Sequence, residues 1–249
     1  MERVILHSDI NNCYASVECL YDASLRGKPV AVGGSVETRH GIVLAKSEQA
    51  KRCGVKTGDA LWQAREKCHD LVVVPPHFER YKRYSELVRG VYRRYTDQIE
   101  PFGLDEAWLD VTDSQRLLGA GGCIADDIRR TVQRELGLTV SVGVSFNKIF
   151  AKLGSDMKKP NAVTVIDKQD FREKIWNLPV GDMLGCGRST VKKLSTYGVR
   201  TIGQLAACDR AFLKALFGKM GDVLWSYANG LDASRVQPDG FVPVSKSIG

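Results

Sequence analysis

Ile99-Glu100-Pro101-Phe102-Gly103-Leu104-Asp105-Glu106-Ala107-Trp108-Leu109-Asp110-Val111-Thr112 reads as two apolar strands, Ile99–Phe102 and Ala107–Val111, around the turn Gly103-Leu104-Asp105-Glu106. Neighbours on a regular strand point to opposite faces. Asp105 and Glu106 can therefore face one ligand only at a bend, and Gly103 makes room for one. A third acid, Asp9, ends the strand that begins at Arg3, within His7-Ser8-Asp9-Ile10-Asn11.

Three converging carboxylates repel one another and raise their own pKa values. Divalent cations remove that cost, and an all-oxygen donor set favours Mg²⁺ or Mn²⁺. Two such ions roughly 3.5–4 Å apart can activate a 3′-hydroxyl and stabilise a leaving pyrophosphate. Spacing alone leaves a blander alternative open, a strand-end Asp and a surface Asp-Glu turn.

Outward from the hairpin, the spacing predicts a helix over Asn12–Leu20, strands over Lys28–Val32 and Gly41–Ala45, a helix over Asp59–Cys68 and a short strand over Leu71–Val74. Phe78–Tyr95 is a long helix in which arginines alternate with Tyr81, Tyr84, Tyr92 and Tyr95; it is expected to lie behind the sheet with its tyrosines packed and its arginines solvated, the other reading being a basic face along nucleic acid. Gly122–Leu136 is an amphipathic helix, Thr139–Val144 an alternating strand, Asn147–Asp156 a helix and Ala162–Ile166 a strand. That order describes an α+β sheet covered by helices. After Asp167 short glycine-punctuated helices follow. The tail Gln237–Gly249 reads as a linker, and the chain is expected to be cut before a further domain.

Bulk numbers narrow the class. The 249 residues are 43% hydrophobic and 26% charged, as in globular protein, with no run of the roughly 18–20 apolar residues a membrane span needs. No signal-peptide layout opens the chain, so a cytoplasmic protein is expected. Seven cysteines without a C-x-x-C pair point to reduced, mostly buried thiols. A net charge of +7 suits a nucleic-acid partner without requiring one.

His7-Ser8-Asp9-Ile10-Asn11-Asn12-Cys13-Tyr14-Ala15-Ser16-Val17-Glu18 resembles the opening motif of Y-family, DinB-type translesion DNA polymerases. The hairpin at 99–112 is similar to their second catalytic motif. Ser145-Phe146-Asn147-Lys148-Ile149-Phe150-Ala151-Lys152 and Ser155-Asp156-Met157-Lys158-Lys159-Pro160-Asn161 are similar to a third. The resemblance implies a right-hand polymerase core with a ferredoxin-like palm (residues 1–10 and 77–166) and small α/β fingers (11–76). An all-helical thumb (167–233) and a linker (234–249) to an absent little-finger domain complete it. It also implies that Asp9, Asp105 and Glu106 are catalytic and hold two Mg²⁺ ions, with Mn²⁺ a substitute. Tyr14 would be the steric gate that excludes a 2′-hydroxyl, the other reading being a core aromatic. Lys159 and Lys51 would meet the triphosphate. Glu18 either orients nearby backbone or is a solvated helix residue, and the second reading is preferred. Val180–Leu194 resembles a helix-hairpin-helix, so Gly185, Gly187 and Arg188 would bind DNA phosphates; otherwise it is a glycine turn between core helices.

The fingers depart from the family pattern. Ala45, Glu48 and Lys51 stand where a Thr, a Tyr and an Arg are frequent, which exchanges a bidentate fork for one ammonium and brings a negative charge near phosphates. Asn11 and Cys13 also replace an acid and an aromatic. The implied function is low-fidelity, template-directed DNA synthesis by a monomer on primer-template DNA with deoxynucleoside triphosphates, and a sliding clamp would bind beyond this chain. A catalytically weak DNA-binding relative with an impaired triphosphate grip is the alternative, and a nucleotidyl cyclase is a distant third.

Overall fold

The computed structural model describes residues 2–34 and 41–241. Among them the strands are β1 (Ile5–Ile10), β2 (Val30–Gly33), β3 (Val43–Lys46), β4 (Val72–Val74), β5 (Ile99–Phe102), β6 (Glu106–Asp110), β7 (Val140–Ser145) and β8 (Val163–Ile166). The first α-helices are α1 (Cys13–Tyr21), α2 (Glu48–Arg52), α3 (Leu61–Lys67), α4 (Phe78–Tyr92), α5 (Gln115–Leu118), α6 (Gly121–Leu136) and α7 (Lys148–Met157). There follow α8 (Phe171–Ile175), α9 (Arg188–Thr196), α10 (Ile202–Ala206), α11 (Arg210–Phe217) and α12 (Lys219–Ala228). Helix starts follow side-chain chemistry: Ser47, Asn147, Thr201 and Asp209 each cap the backbone N–H three residues on.

The chain divides into two compact units. The first holds residues to Asp9, Tyr92–Arg130 and Ser141 onward; the second holds Ile10–Val91 and Thr131–Val140. In the first, a five-stranded sheet runs β5-β6-β1-β7-β8. β6 is antiparallel to both β5 and β1, and its register with β1 sets Ile5 opposite Asp110 and Asp9 opposite Glu106. β7 and β8 are parallel, joined by α7. A Cβ on Gly143 would lie 1.9 Å from the Ala151 carbonyl oxygen, so only glycine lets α7 lie this close to β7. That seating puts Lys148 and Lys152, one turn apart, on one face of the helix. Ile5, Trp108, Ala151 and Val236 form one core cluster, and α7 shares a larger one with α8–α12. The segment after α12 is fastened to this unit: Arg3 donates to the Ser234 carbonyl, and the Gln237 N–H to Glu100 Oε2. The part of the expected linker at 242–249 lies outside the described residues.

The second unit carries the sheet β3-β2-β4, with β2 antiparallel to β3 and parallel to β4. Ala31, Val43, Ala50, Leu61, Ala64 and Leu71 fill its core, and α1 packs on β2 and β3.

Three elements differ from expectation, the first being α2, which occupies a stretch where the sequence predicts no element. The helix expected to reach Tyr95 ends at Tyr92, where the Tyr95 N–H turns back to the Tyr92 carbonyl and the Ser114 hydroxyl takes the Tyr95 carbonyl. Helix α5 was not anticipated; its Leu117 is 90% exposed, so it shows no buried stripe. All seven cysteines are free thiols, but only Cys13, Cys68 and Cys186 are buried, and Cys53 and Cys123 are exposed, so the expectation of mostly buried thiols does not hold. No helix among the described residues is long and apolar enough to cross a membrane.

Candidate active site

The hairpin bends where its glycine predicts. Gly103 takes φ 79°, a left-handed conformation costly for side-chain-bearing residues, so Asp105 stays in the turn while Glu106 opens β6. Because β1 and β6 pair Asp9 with Glu106, two acids distant in sequence become cross-strand neighbours. Each holds a lysine from the loop or helix that follows β7. Lys159 Nζ lies 2.6 Å from Asp9 Oδ2 and 2.8 Å from Asp156 Oδ1, while Lys152 bonds Glu106. His7 is fully buried. Its Nδ1 is 2.8 Å from the Ser155 hydroxyl, and its Nε2 lies 3.2 Å from Glu106 Oε2.

The electrostatics of the acids diverge. Burial pushes the Asp9 carboxyl up to about 6 despite Lys159, with Glu106 and Asp156 adding to the rise. Asp105 is also raised, by burial first and then by Glu106. Burial works the same way on Glu106, but His7 and Lys152 outweigh it and hold that carboxyl at about 2. Burial lowers His7, and Lys152 adds to the fall, while Glu106 pulls the other way. Burial would lower Lys159, yet Asp9 and Asp156 prevail and raise it.

Among the described residues, no three His, Cys, Asp or Glu side chains are gathered as a cage for an ion. Asp9 and Glu106 instead carry ammonium groups, and burial still leaves the Asp9 and Asp105 carboxyls raised, so an added cation would stabilise their ionised forms. Hard carboxylate oxygens fit Mg²⁺ or Mn²⁺ better than softer ions. Asp9, Asp105 and Glu106 are the residues that would hold them.

Tyr14 and Lys51 belong to the second unit. Tyr14 lies on α1, half-buried, its ring stacked on Tyr81 at 4.2 Å between centroids. Lys51 is exposed on α2, 4.0 Å from Glu48. Lys46 Nζ bonds Thr57 Oγ1 at 3.1 Å and is lowered by burial and by Lys51. Gly185, Gly187 and Arg188 lie exposed in the first unit, after the single 3₁₀ turn Val180–Asp182 and at the start of α9; Gly187 is that helix's N-cap, while Met183 and Cys186 beside them are buried.

Several residues with evident roles escaped the sequence reading. Lys152 and Lys148 carry no role by motif alone; their helical spacing, four apart, is the signal that places them on one face. Lys148 bonds Glu100 at 2.7 Å and lies 4.4 Å over the Trp108 ring. Glu18, expected to be solvated, is instead 3% exposed. It accepts from the Tyr81 hydroxyl at 2.6 Å, Arg80 at 2.8 Å and His77 Nδ1 at 3.0 Å, partners that no local pattern announces.

Residues 8–156 match the impB/mucB/samB family, and residues 181–232 match a family described as the thumb domain of DNA polymerase-iota. The chain is 58% identical, over all of its length, to DNA polymerase IV of Acetivibrio thermocellus, and it spans 62% of that relative. Its fold matches DinB from Sulfolobus solfataricus at 26% identity with a TM-score of 0.85. An insertion ternary complex of Dbh DNA polymerase matches at 26% identity and a TM-score of 0.86. Each alignment covers 94% of this chain and 69% of the solved one. The expected α+β core with a helix-hairpin-helix thumb is the fold of this chain.

Proposed function

The chain belongs to the impB/mucB/samB family, and from that membership we propose that it is the core of a low-fidelity, template-directed DNA polymerase serving translesion synthesis. One observation carries the reading. The β1–β6 register sets Asp9 opposite Glu106 beside the Asp105 turn, a set of hard-oxygen donors whose ionised forms an added cation would stabilise. In the reaction a primer 3′-oxygen bonds to the α-phosphorus of a deoxynucleoside triphosphate. The bond to the β-phosphate oxygen breaks, pyrophosphate leaves, and the 3′-hydroxyl proton is lost. Two Mg²⁺ ions, when bound, supply activation of the 3′-hydroxyl and charge stabilisation of the pyrophosphate.

The protein's own groups do the positioning. Asp9, Asp105 and Glu106 would hold the cations, and Lys159 would offer its ammonium to the triphosphate. Tyr14 screens the sugar at C2′. Lys51 contributes a weaker point charge, with Glu48 beside it. Gly185, Gly187 and Arg188 grip the duplex backbone through exposed N–H groups and a guanidinium without reading sequence. Residues 1–10 and 77–166 act as palm, 11–76 as fingers and 167–233 as thumb. The enzyme acts as a cytoplasmic monomer.

The Glu48–Lys51 pair favours a second reading, a DNA-binding relative with weak catalysis. Primer extension with Mg²⁺ and four deoxynucleotides separates the two. We expect extension that disappears in Asp105→Ala while duplex binding persists. Binding without extension, in Mg²⁺ and in Mn²⁺, would favour the second reading.

A further inference from the structure

Tyr14 and Glu18 are one turn apart on α1, so their side chains leave the same face of the helix. A single side chain of α4 spans both. Tyr81 stacks its ring on Tyr14 with 4.2 Å between centroids and 6° between planes, and its hydroxyl donates to Glu18 Oε1 at 2.6 Å. The same hydroxyl accepts the His77 backbone N–H at 3.0 Å. Phe78 meets both rings edge-on, at 6.0 and 5.9 Å. The cluster is closed at one end, where Tyr81 is 0% and Glu18 3% exposed, and open at the other, where Phe78 is 46% exposed.

We propose that Tyr81 and Glu18 are positioning residues of the sugar gate, the Tyr81–Glu18 bond fixing the ring plane against which Tyr14 lies; the proposal rests on the reading of Tyr14 as that gate. A stacked ring can tilt about its own axis unless its far end is held. Here the phenolic oxygen is held on both sides, by a carboxylate that accepts its proton and a backbone N–H that donates to it. Glu18 is in turn fixed by Arg80 and His77, so it cannot follow the ring. A gate excludes a hydroxyl only if its edge stays within tenths of an ångström of one position. A phenylalanine at 81 would keep the stack and lose the anchor.

The test is the ratio of kcat/KM for a deoxynucleotide to that for the matching ribonucleotide, measured on primed template with the full natural chain. Wild type, Tyr14→Ala, Tyr81→Phe, Glu18→Gln and the double variant Tyr14→Ala/Tyr81→Phe are compared. Tyr81→Phe is expected to lower the ratio about tenfold, the scale of losing a hydrogen bond to a charged group. Glu18→Gln, which keeps an acceptor but not the charge, lowers it less. The double variant should match Tyr14→Ala alone, because an anchor without a gate has nothing to position. A merely structural role would lower both substrates together and leave the ratio unchanged in Tyr81→Phe and Glu18→Gln; that result overturns the proposal. Should Tyr14→Ala itself leave the ratio unchanged, the gate reading fails first and takes the proposal with it. Thermal melts accompany each variant, and Glu18→Gln decides the matter if Tyr81→Phe does not fold.

Discussion

Glu18 and Asp9 are both carboxylates exposed over a tenth or less of their surface, yet their surroundings have opposite characters. Glu18 receives a phenol, a guanidinium and an imidazole, which satisfy it in place. Asp9 holds the Lys159 ammonium and remains under-compensated, its carboxyl at about 6. A satisfied buried acid is a fastener between helices, and moving it costs several bonds. An acid whose charged form is disfavoured gains from any added cation and is available for chemistry.

The contrast predicts divergent mutational behaviour. The largest effect belongs to Asp9: Asp9→Asn should cut single-nucleotide incorporation by about a thousandfold or more, the scale of losing a central electrostatic group. The same substitution should raise the melting temperature of the metal-free protein at pH 7. Glu18→Ala should do the reverse to stability, lowering it by about 2–3 kcal/mol because Arg80 and the Tyr81 hydroxyl lose their acceptor; the half-exposed Arg80 keeps the figure below that of a sealed ion pair. For a chain of this size that is roughly 4–10 °C in a thermal melt. A Glu18→Ala protein as stable as wild type would erase the distinction.

A pH profile sharpens it further. The folded state holds the Asp9 proton more tightly than the unfolded chain, whose carboxyl titrates near 3.8. Stability from this group therefore falls as pH rises from about 4 to about 6, and the deficit persists above. Glu106 runs the other way: its contribution is present above 4.5 and lost as pH falls toward 2. The melting-temperature advantage of Asp9→Asn should thus be full at pH 7 and vanish near pH 4. The smallest effect expected is at the thumb. Arg188→Ala should weaken duplex binding a few-fold on every sequence and reduce the salt slope by about 1.

Much of this was readable in the residues. The Gly-Leu-Asp-Glu turn between two apolar strands announced its own bend, and Asp9 at a strand end announced its exposure to a neighbour. The pairing of Asp9 with Glu106 was not readable, because register between residues 97 positions apart follows from the whole sheet. Lys152 and Lys159 could be seen as basic residues but not as counter-ions. Glu18 was misjudged for the same reason: a lone acid on a short helix looks solvated until residues 77–81 fold over it. Helix α5 escaped because its leucines face outward, leaving no periodic signal.

Mn²⁺ titration followed by electron paramagnetic resonance tests the central distinction most directly, comparing wild type, Asp9→Asn and Glu18→Gln without nucleotide or DNA. The account predicts that Asp9→Asn weakens Mn²⁺ binding by about tenfold or more, since a charged oxygen ligand is lost, whereas Glu18→Gln binds as wild type does. Equal affinity in wild type and Asp9→Asn, or a loss confined to Glu18→Gln, would contradict it.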